Sequence, residues 1–230
     1  MNLLALETSS RLLSVALLCD GELFERSRDE INGGSALILP WVGELLAEAG
    51  VGLAAVDAIA YGAGPGGFTG LRLACSVAQG LAFGAGLPVL GVCSLAALAF
   101  ASGEHRVYVC VDARMNEAYT AAYEVDVSSV SEILAPTVAA PDRVPLPPGS
   151  GWRGVGDGFA SHGEVLARHL GSSVDIRNTG CYPTAAAVAR LALPAVVRGE
   201  AVDASLATPL YVRDKVALTT AERLSRGGLR

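Results

Sequence analysis

No charged side chain occurs between Arg72 and Glu104. That uncharged run constrains the chain more than any other feature, because it must either cross a membrane or lie buried between layers of a folded domain. A spanning helix needs about 20 consecutive apolar residues. Gly84, Gly86 and Pro88 cut the run into shorter pieces. It therefore reads as a buried unit, with a helix over Leu71–Phe83, a strand over Pro88–Val92 and a helix over Ser94–Ala101. A unit of that kind belongs to an α/β layered fold with a mixed sheet.

The preceding residues supply the rest of that layer. Leu3–Leu6 and Leu12–Cys19 read as strands, joined to a third over Glu22–Arg28 by the turn at Asp20-Gly21. Asn32-Gly33-Gly34-Ser35 is a turn, with Ser35 a plausible helix cap. Ile38, Trp41, Val42, Leu45, Leu46 and Ala49 then fall on one helical face. Gly50 stops that helix, and Pro40 kinks it or resets its start. Val56–Tyr61 is a buried strand. After residue 104 a fresh hairpin begins, VYVCVD and AYTAAYEV around Ala113–Asn116, so the second half repeats how the first began. Residues 135–152 carry five of the eleven prolines and read as a surface excursion or sheet edge. Helices are expected at Gly163–Leu170 and Thr184–Arg198, and a frayed tail over TTAERLSRGGLR.

The chain has 230 residues, 51% of them hydrophobic and 17% charged, which is the composition of a folded domain. MNLLALETSS lacks a basic leader and reads as a strand, not a secretory signal. The five cysteines form no CxxC pair, so they read as small reduced hydrophobes of a cytoplasmic protein. The three histidines form no metal-ligand spacing, and no metal site is expected. Net charge is −6, all of it in residues 1–104, which hold four basic and ten acidic side chains. That half repels phosphate backbones, so an autonomous RNA-binding role is disfavoured.

The stretch GAGPGGFTG, Gly62–Gly70, imitates two phosphate cradles. Gly62, Gly64 and Gly67 fit G-x-G-x-x-G between strand and helix. A dinucleotide site also needs an acidic residue about 20 positions on, and none occurs before Glu104. Read as a P-loop, the stretch has Phe68 where the phosphate-binding lysine belongs. Two readings remain. Thr69 caps the next helix, whose N-terminus attracts an anion, or the loop is a tight connection whose glycines let it pass close to another surface. The helix that follows is apolar nearly all round. Its Ala74/Ala78/Ala82 stripe suits either core burial or close approach of another helix.

LALETSSRLLSVAL, the block from Ala60 to Val92, VDARMNEAY, GVGDG and PLYVRDKVA occur in this order, and together they resemble the TsaB (YeaZ) family. The resemblance covers most of the chain and is thinner in the second half. It implies two ribonuclease-H-like lobes of the actin/sugar-kinase/Hsp70-like superfamily, with mixed sheets and flanking helices. Residues 1–104 would form the N-terminal lobe with the partner-binding helices. Residues 105–230 would form a smaller second lobe whose C-terminal segment is free to pack back on the first.

In that family the chemistry belongs to a larger paralogue, TsaD, and a small ATPase, TsaE, joins the assembly. The resemblance implies a non-catalytic partner of the TsaD-type transferase in threonylcarbamoyladenosine modification of ANN-decoding tRNAs. It also implies homodimers formed through first-lobe helices and contact with tRNA only through the complex. Trp41, Leu45, Leu73, Val77 and Leu81 are the expected partner interface. No cofactor is expected on the isolated chain, and ATP only within the complex. The paralogue's metal-binding histidines have no counterpart in INGGSALILP. Glu7 and Thr8 mark the position of the superfamily's first phosphate loop, where the usual aspartate and glycine are absent. Asp112, Arg114 and Glu117 match DAR-x-x-E, and either reach into the interlobe cleft or fix their own turn. Gly154, Gly156, Asp157 and Gly158 lie where the superfamily contacts adenosine, and backbone geometry explains them equally well. No nucleophile–base pair supports a peptidase. The rival reading is an active ATP-dependent phosphotransferase, or carbamoyl-transferring enzyme, working in the cleft.

Overall fold

A computed structural model describes residues 1–29 and 34–213. The first sheet contains β1 (Asn2–Glu7), β2 (Leu12–Cys19), β3 (Glu22–Asp29), β4 (Ala58–Gly64) and β5 (Val89–Cys93). Its order is β3-β2-β1-β4-β5, antiparallel across the first three strands and parallel from β1 to β5. The second sheet contains β6 (Arg106–Asp112), β7 (Ala118–Val125), β8 (Val130–Ala139), β9 (Trp152–Val155) and β10 (Val174–Asn178). Its order, β8-β7-β6-β9-β10, repeats the same directions strand for strand. The two lobes are one topology used twice.

Alternation explains the first lobe's core. Successive side chains of a strand face opposite ways, and both faces of this sheet are covered. Leu4, Leu6, Val15 and Leu17 pack with α1 (Ser35–Glu48) and α2 (Phe68–Ala85). Leu3, Ala5, Ala16, Ala58 and Ala60 pack with α5 (Ala185–Val197). The second face is lined by alanines, and α5 meets it with Ala185, Ala187, Ala189 and Ala192. Small residues on both sides bring helix and sheet close. Thr184 caps α5 by accepting from the Ala187 N–H at 3.1 Å, and buried Ser14 accepts from the Ala185 N–H at 2.8 Å. The chain thus returns to its first lobe after building the second.

α3 (Ser94–Ala101) belongs to both lobes. Leu95, Leu98 and Ala99 are buried with Val107, Val109 and Tyr123 of the second sheet, while Ala97 packs on the first. α4 (Gly158–Leu170) lies against β6 and β9, with Phe159, Leu166 and Leu170 in a core around Trp152.

The lobes differ where the prolines are. The first lobe has α1 between β3 and β4. The second has residues 140–151, without helix, between β8 and β9. Side chains satisfy this segment's carbonyls. Tyr108 Oη donates to Pro145 O at 2.8 Å, Trp152 Nε1 to Pro148 O at 2.9 Å and Arg106 Nη1 to Ser150 O at 2.6 Å. Pro136 lies within edge strand β8, where the register shifts between Ala122 and Thr120, and proline's missing N–H costs no ladder bond there.

Several expected boundaries move. β4 runs on to Gly64 and α2 starts at Phe68, so the glycine stretch is mostly strand and helix, with only Pro65–Gly67 between them. Gly67 holds the cap position, and Thr69 lies inside the helix. Gly34 replaces Ser35 as the α1 cap, and Pro40 stays within that helix. α4 begins at Gly158, not Gly163, with non-helical backbone at His162. The first part of the expected Asn32–Ser35 turn and the expected C-terminal tail lie outside the described residues.

Candidate functional site

Glu7 ends β1 and is fully buried. Its Oε1 accepts the Ser9 N–H at 2.6 Å, and its Oε2 accepts the Ser94 hydroxyl at 2.9 Å. Ser94 Oγ in turn accepts the Gly64 N–H at 3.1 Å. One carboxylate thereby joins β1, the end of β4 and the start of α3. Burial pushes the Glu7 carboxyl above its ordinary 4.5, against the lowering effect of the Ser9 and Ser94 bonds. Both carboxylate oxygens of Glu7, a candidate of the first phosphate loop, are thus bonded within the lobe.

The glycines fit around this arrangement. A Cβ on Gly62 would lie 1.9 Å from Glu7 Oε2, one on Gly66 2.6 Å from Ser9 O, and one on Gly70 1.8 Å from Thr8 O. The Gly67 N–H donates to Ser9 O at 2.7 Å, and Thr8 Oγ1 donates to Gly70 O at 2.6 Å. Of the two readings of GAGPGGFTG, close approach is the one these contacts support, and the surface approached is the chain's own turn after β1. Thr8, at the position of the superfamily's first phosphate loop, gives its hydroxyl to Gly70 O.

A cleft of about 610 Å³ separates the lobes. The turn after β1 and the start of α2 form one wall, and the β6–β7 turn with Asp157 forms the other. Asp112 accepts the Arg114 N–H at 2.8 Å, Arg114 Nη1 at 3.1 Å and the Ser161 hydroxyl at 3.4 Å. Asp157 Oδ1 accepts the Asp112 N–H at 3.0 Å. Burial, with the neighbouring Asp112 carboxylate, pushes Asp157 above the ordinary aspartate value against that bond. Arg114, Met115 and Asn116 all take left-handed backbone, at φ of 60°, 54° and 59°. Asp112 is therefore both things the sequence left open: it holds its own strained turn and it lines the cleft.

His162 Nε2 lies 3.6 Å from Asp112 Oδ1 without a hydrogen bond. Ser161 donates to Asp112 and to the Asp157 carbonyl. Serine and histidine both address the carboxylate and not each other, so this cluster is not a Ser-His-Asp relay.

Gly156 takes φ of 107°, and a Cβ there would lie 2.3 Å from Cys110 O; one on Gly158 would lie 2.6 Å from Cys110 Sγ. These glycines let the turn after β9 pass over β6. Gly156 is not among the residues that line the cleft. Asp157 beside it does line the cleft.

The expected interface residues divide. Leu45 is fully buried in the first core. Ala74, Ala78 and Ala82 are fully buried too, so that stripe is core. Trp41, Leu73, Val77 and Leu81 are half-buried at the rim of the same core. On the same two helices Leu39 is 56% exposed and Phe83 81% exposed, and open space faces Gly43 and Gly80. Phe83, the most exposed large apolar side chain of α2, lies outside the expected set. Among the described residues, no three His, Cys, Asp or Glu side chains gather as metal ligands, and no helix is long and apolar enough to cross a membrane.

The pattern of the TsaD family, tRNA N6-adenosine threonylcarbamoyltransferase, matches residues 34–168. The Haemophilus influenzae tRNA threonylcarbamoyladenosine biosynthesis protein TsaB is 36% identical, over 94% of this chain and 95% of that protein. Its Escherichia coli counterpart is 33% identical, over 94% and 96%. The solved structure of YeaZ from Pseudomonas aeruginosa superposes with a TM-score of 0.83 at 39% identity, covering 91% of this chain and 99% of that one. A second Pseudomonas aeruginosa structure, described as similar to the peptidase YEAZ, gives 0.85 at 39% identity, covering 92% and 99%.

Proposed function

The chain belongs to the TsaB (YeaZ) family, and from that premise we propose that it is a non-catalytic partner of a TsaD-type transferase in the threonylcarbamoyladenosine modification of ANN-decoding tRNAs. The observation that carries this reading is the fate of the cleft-side groups. The position of the first phosphate loop is occupied by a buried, internally bonded Glu7 and by Thr8, whose hydroxyl goes to Gly70. The groups an enzyme of this fold would direct at a phosphate are engaged in holding the lobe together.

The partner surface is the outward side of α1 and α2, from Trp41 and Leu39 to Leu73, Val77, Leu81 and Phe83. Isolated exposed apolar side chains are ordinary, and what supports this surface is that Phe83 and Leu39, at 81% and 56% exposure, lie on the two helices the family resemblance assigns to the partner. A homodimer on that surface would compete with the transferase, and this competition would regulate assembly. A TsaE-type ATPase joins the same complex, tRNA is contacted only through it, and the setting is the cytoplasm.

Reconstitution tests the reading. Transferase alone should modify tRNA poorly, and adding this chain should restore modification. Asp112→Asn and Asp157→Asn should restore it as well as the wild type does. Failure of both folded variants would instead favour an active cleft enzyme. That rival draws on the 610 Å³ cleft and requires magnesium-dependent ATP binding by the isolated chain. Calorimetry without heat at millimolar nucleotide would remove it.

A further inference from the structure

Among the described residues, two of the joints between the lobes differ in kind. α3 is buried against both sheets through apolar side chains. At the mouth of the cleft the joint is a strap, Thr208–Arg213, that follows the last turns of the first lobe. The strap is fixed to the first lobe by five contacts. Tyr61 Oη donates to Thr208 O at 3.1 Å and accepts the Thr208 N–H at 2.9 Å. The Leu210 N–H donates to Ala63 O at 2.7 Å. Tyr211 lies 6.3 Å from the Phe68 ring, and Arg72 sits 3.5 Å over that ring while donating to Tyr211 Oη at 3.1 Å. Phe68, standing where a phosphate loop would carry lysine, is thus half of a clasp for Tyr211.

Arg213 then reaches the other lobe. Its Nη2 donates to Glu117 Oε2 at 2.6 Å and to Ala113 O at 3.0 Å, and its Nη1 lies 3.7 Å from Met115 Sδ. All three partners belong to the left-handed β6–β7 turn. The side chain is only 15% exposed. A charge-assisted pair that also satisfies a backbone carbonyl is among the stronger single polar contacts. The same guanidinium lies 5.8 Å from the Tyr119 ring, so the whole closing contact is made by one residue.

We propose that the strap is an interlobe latch: Phe68 and Arg72 hold it on the first lobe, Arg213 closes it on the Ala113–Glu117 turn, and release of Arg213 opens the cleft while α3 acts as the hinge.

Small-angle scattering and amide hydrogen exchange on the full chain test this. Arg213→Ala should enlarge the radius of gyration and speed exchange roughly tenfold in the Ala113–Glu117 turn, with faster exchange at Gly66–Gly70 across the cleft. Glu117→Ala should do the same to a lesser degree. The double variant should open no further than Arg213→Ala alone, because both remove one contact. Arg114→Ala loosens the same turn without touching the strap, so it should speed exchange there and leave the overall dimensions unchanged. The latch is overturned if Arg213→Ala loosens the turn with wild-type scattering and wild-type exchange at Gly66–Gly70. It is equally overturned if the Arg213 and Glu117 effects simply add.

Discussion

In the first lobe the turn after β1 folds its acidic residue inward, so that Glu7 is buried against β4 and α3. In the second lobe the turn after β6 leaves its acidic residue at the surface of a cleft, with Asp112 anchoring three left-handed residues beside Asp157. The sheets behind these turns have the same order and the same strand directions. One topology therefore supports two opposite uses of its hairpin turn. The choice depends on what covers it. Glycines at 62, 66 and 70 let β4 and α2 close over the first turn. Over the second turn the corresponding glycines, 156 and 158, close onto Cys110 of the strand instead.

If the first turn is closed by interlocked backbone, Gly70→Ala should be the most damaging small change in the molecule. The new methyl would overlap a main-chain carbonyl, and we expect a loss of about 3 kcal/mol or more in denaturant unfolding. Glu7→Ala follows at about 2–3 kcal/mol, because it strands the Ser9 N–H and the Ser94 hydroxyl in the interior. Asp112→Ala, the matching change in the second lobe, should cost about 1–2 kcal/mol, since water can reach the groups it frees. An equal cost for Glu7→Ala and Asp112→Ala would break the contrast between the two turns.

Protonation sharpens it. Burial raises Glu7 in the folded state, so its favourable contribution is complete below the ordinary value of 4.5 and is lost as pH rises through the raised value. Glu7→Gln, which mimics the neutral form, should therefore gain stability relative to wild type as pH increases through that window. Parallel pH profiles for the two proteins would contradict it. The smallest effect belongs to Gly80→Ala on the exposed side of α2, where open space faces the missing Cβ. A gain of about 0.5–1 kcal/mol is expected there from helix propensity alone.

Much of this was legible in the sequence. The uncharged run resolved into α2, β5 and α3, the fresh hairpin at residue 106 began a second sheet, and the proline-rich stretch lacks the helix that its first-lobe counterpart has. What stayed hidden depended on direction and distance. Helical periodicity put Trp41 and Leu45 on one face, but only the depth of the sheet beneath α1 separates a rim residue from a fully buried one. The glycines announced a close approach without saying to what, because their partners Glu7, Thr8 and Ser9 lie in another element. The strap carries no periodic signal. Tyr61 meets Thr208 and Arg213 meets Glu117 across separations of 147 and 96 residues, and no local pattern encodes such pairs.

The proposed role needs one lobe to meet a partner while its turn is closed to chemistry, and Phe83→Asp tests that most directly. Phe83 is 81% exposed, so the variant should unfold within about 0.5 kcal/mol of wild type. Its co-elution with a TsaD-type transferase should be lost, along with restored tRNA modification. A folded Phe83→Asp protein that binds the transferase as the wild type does, and supports modification equally, would contradict the account.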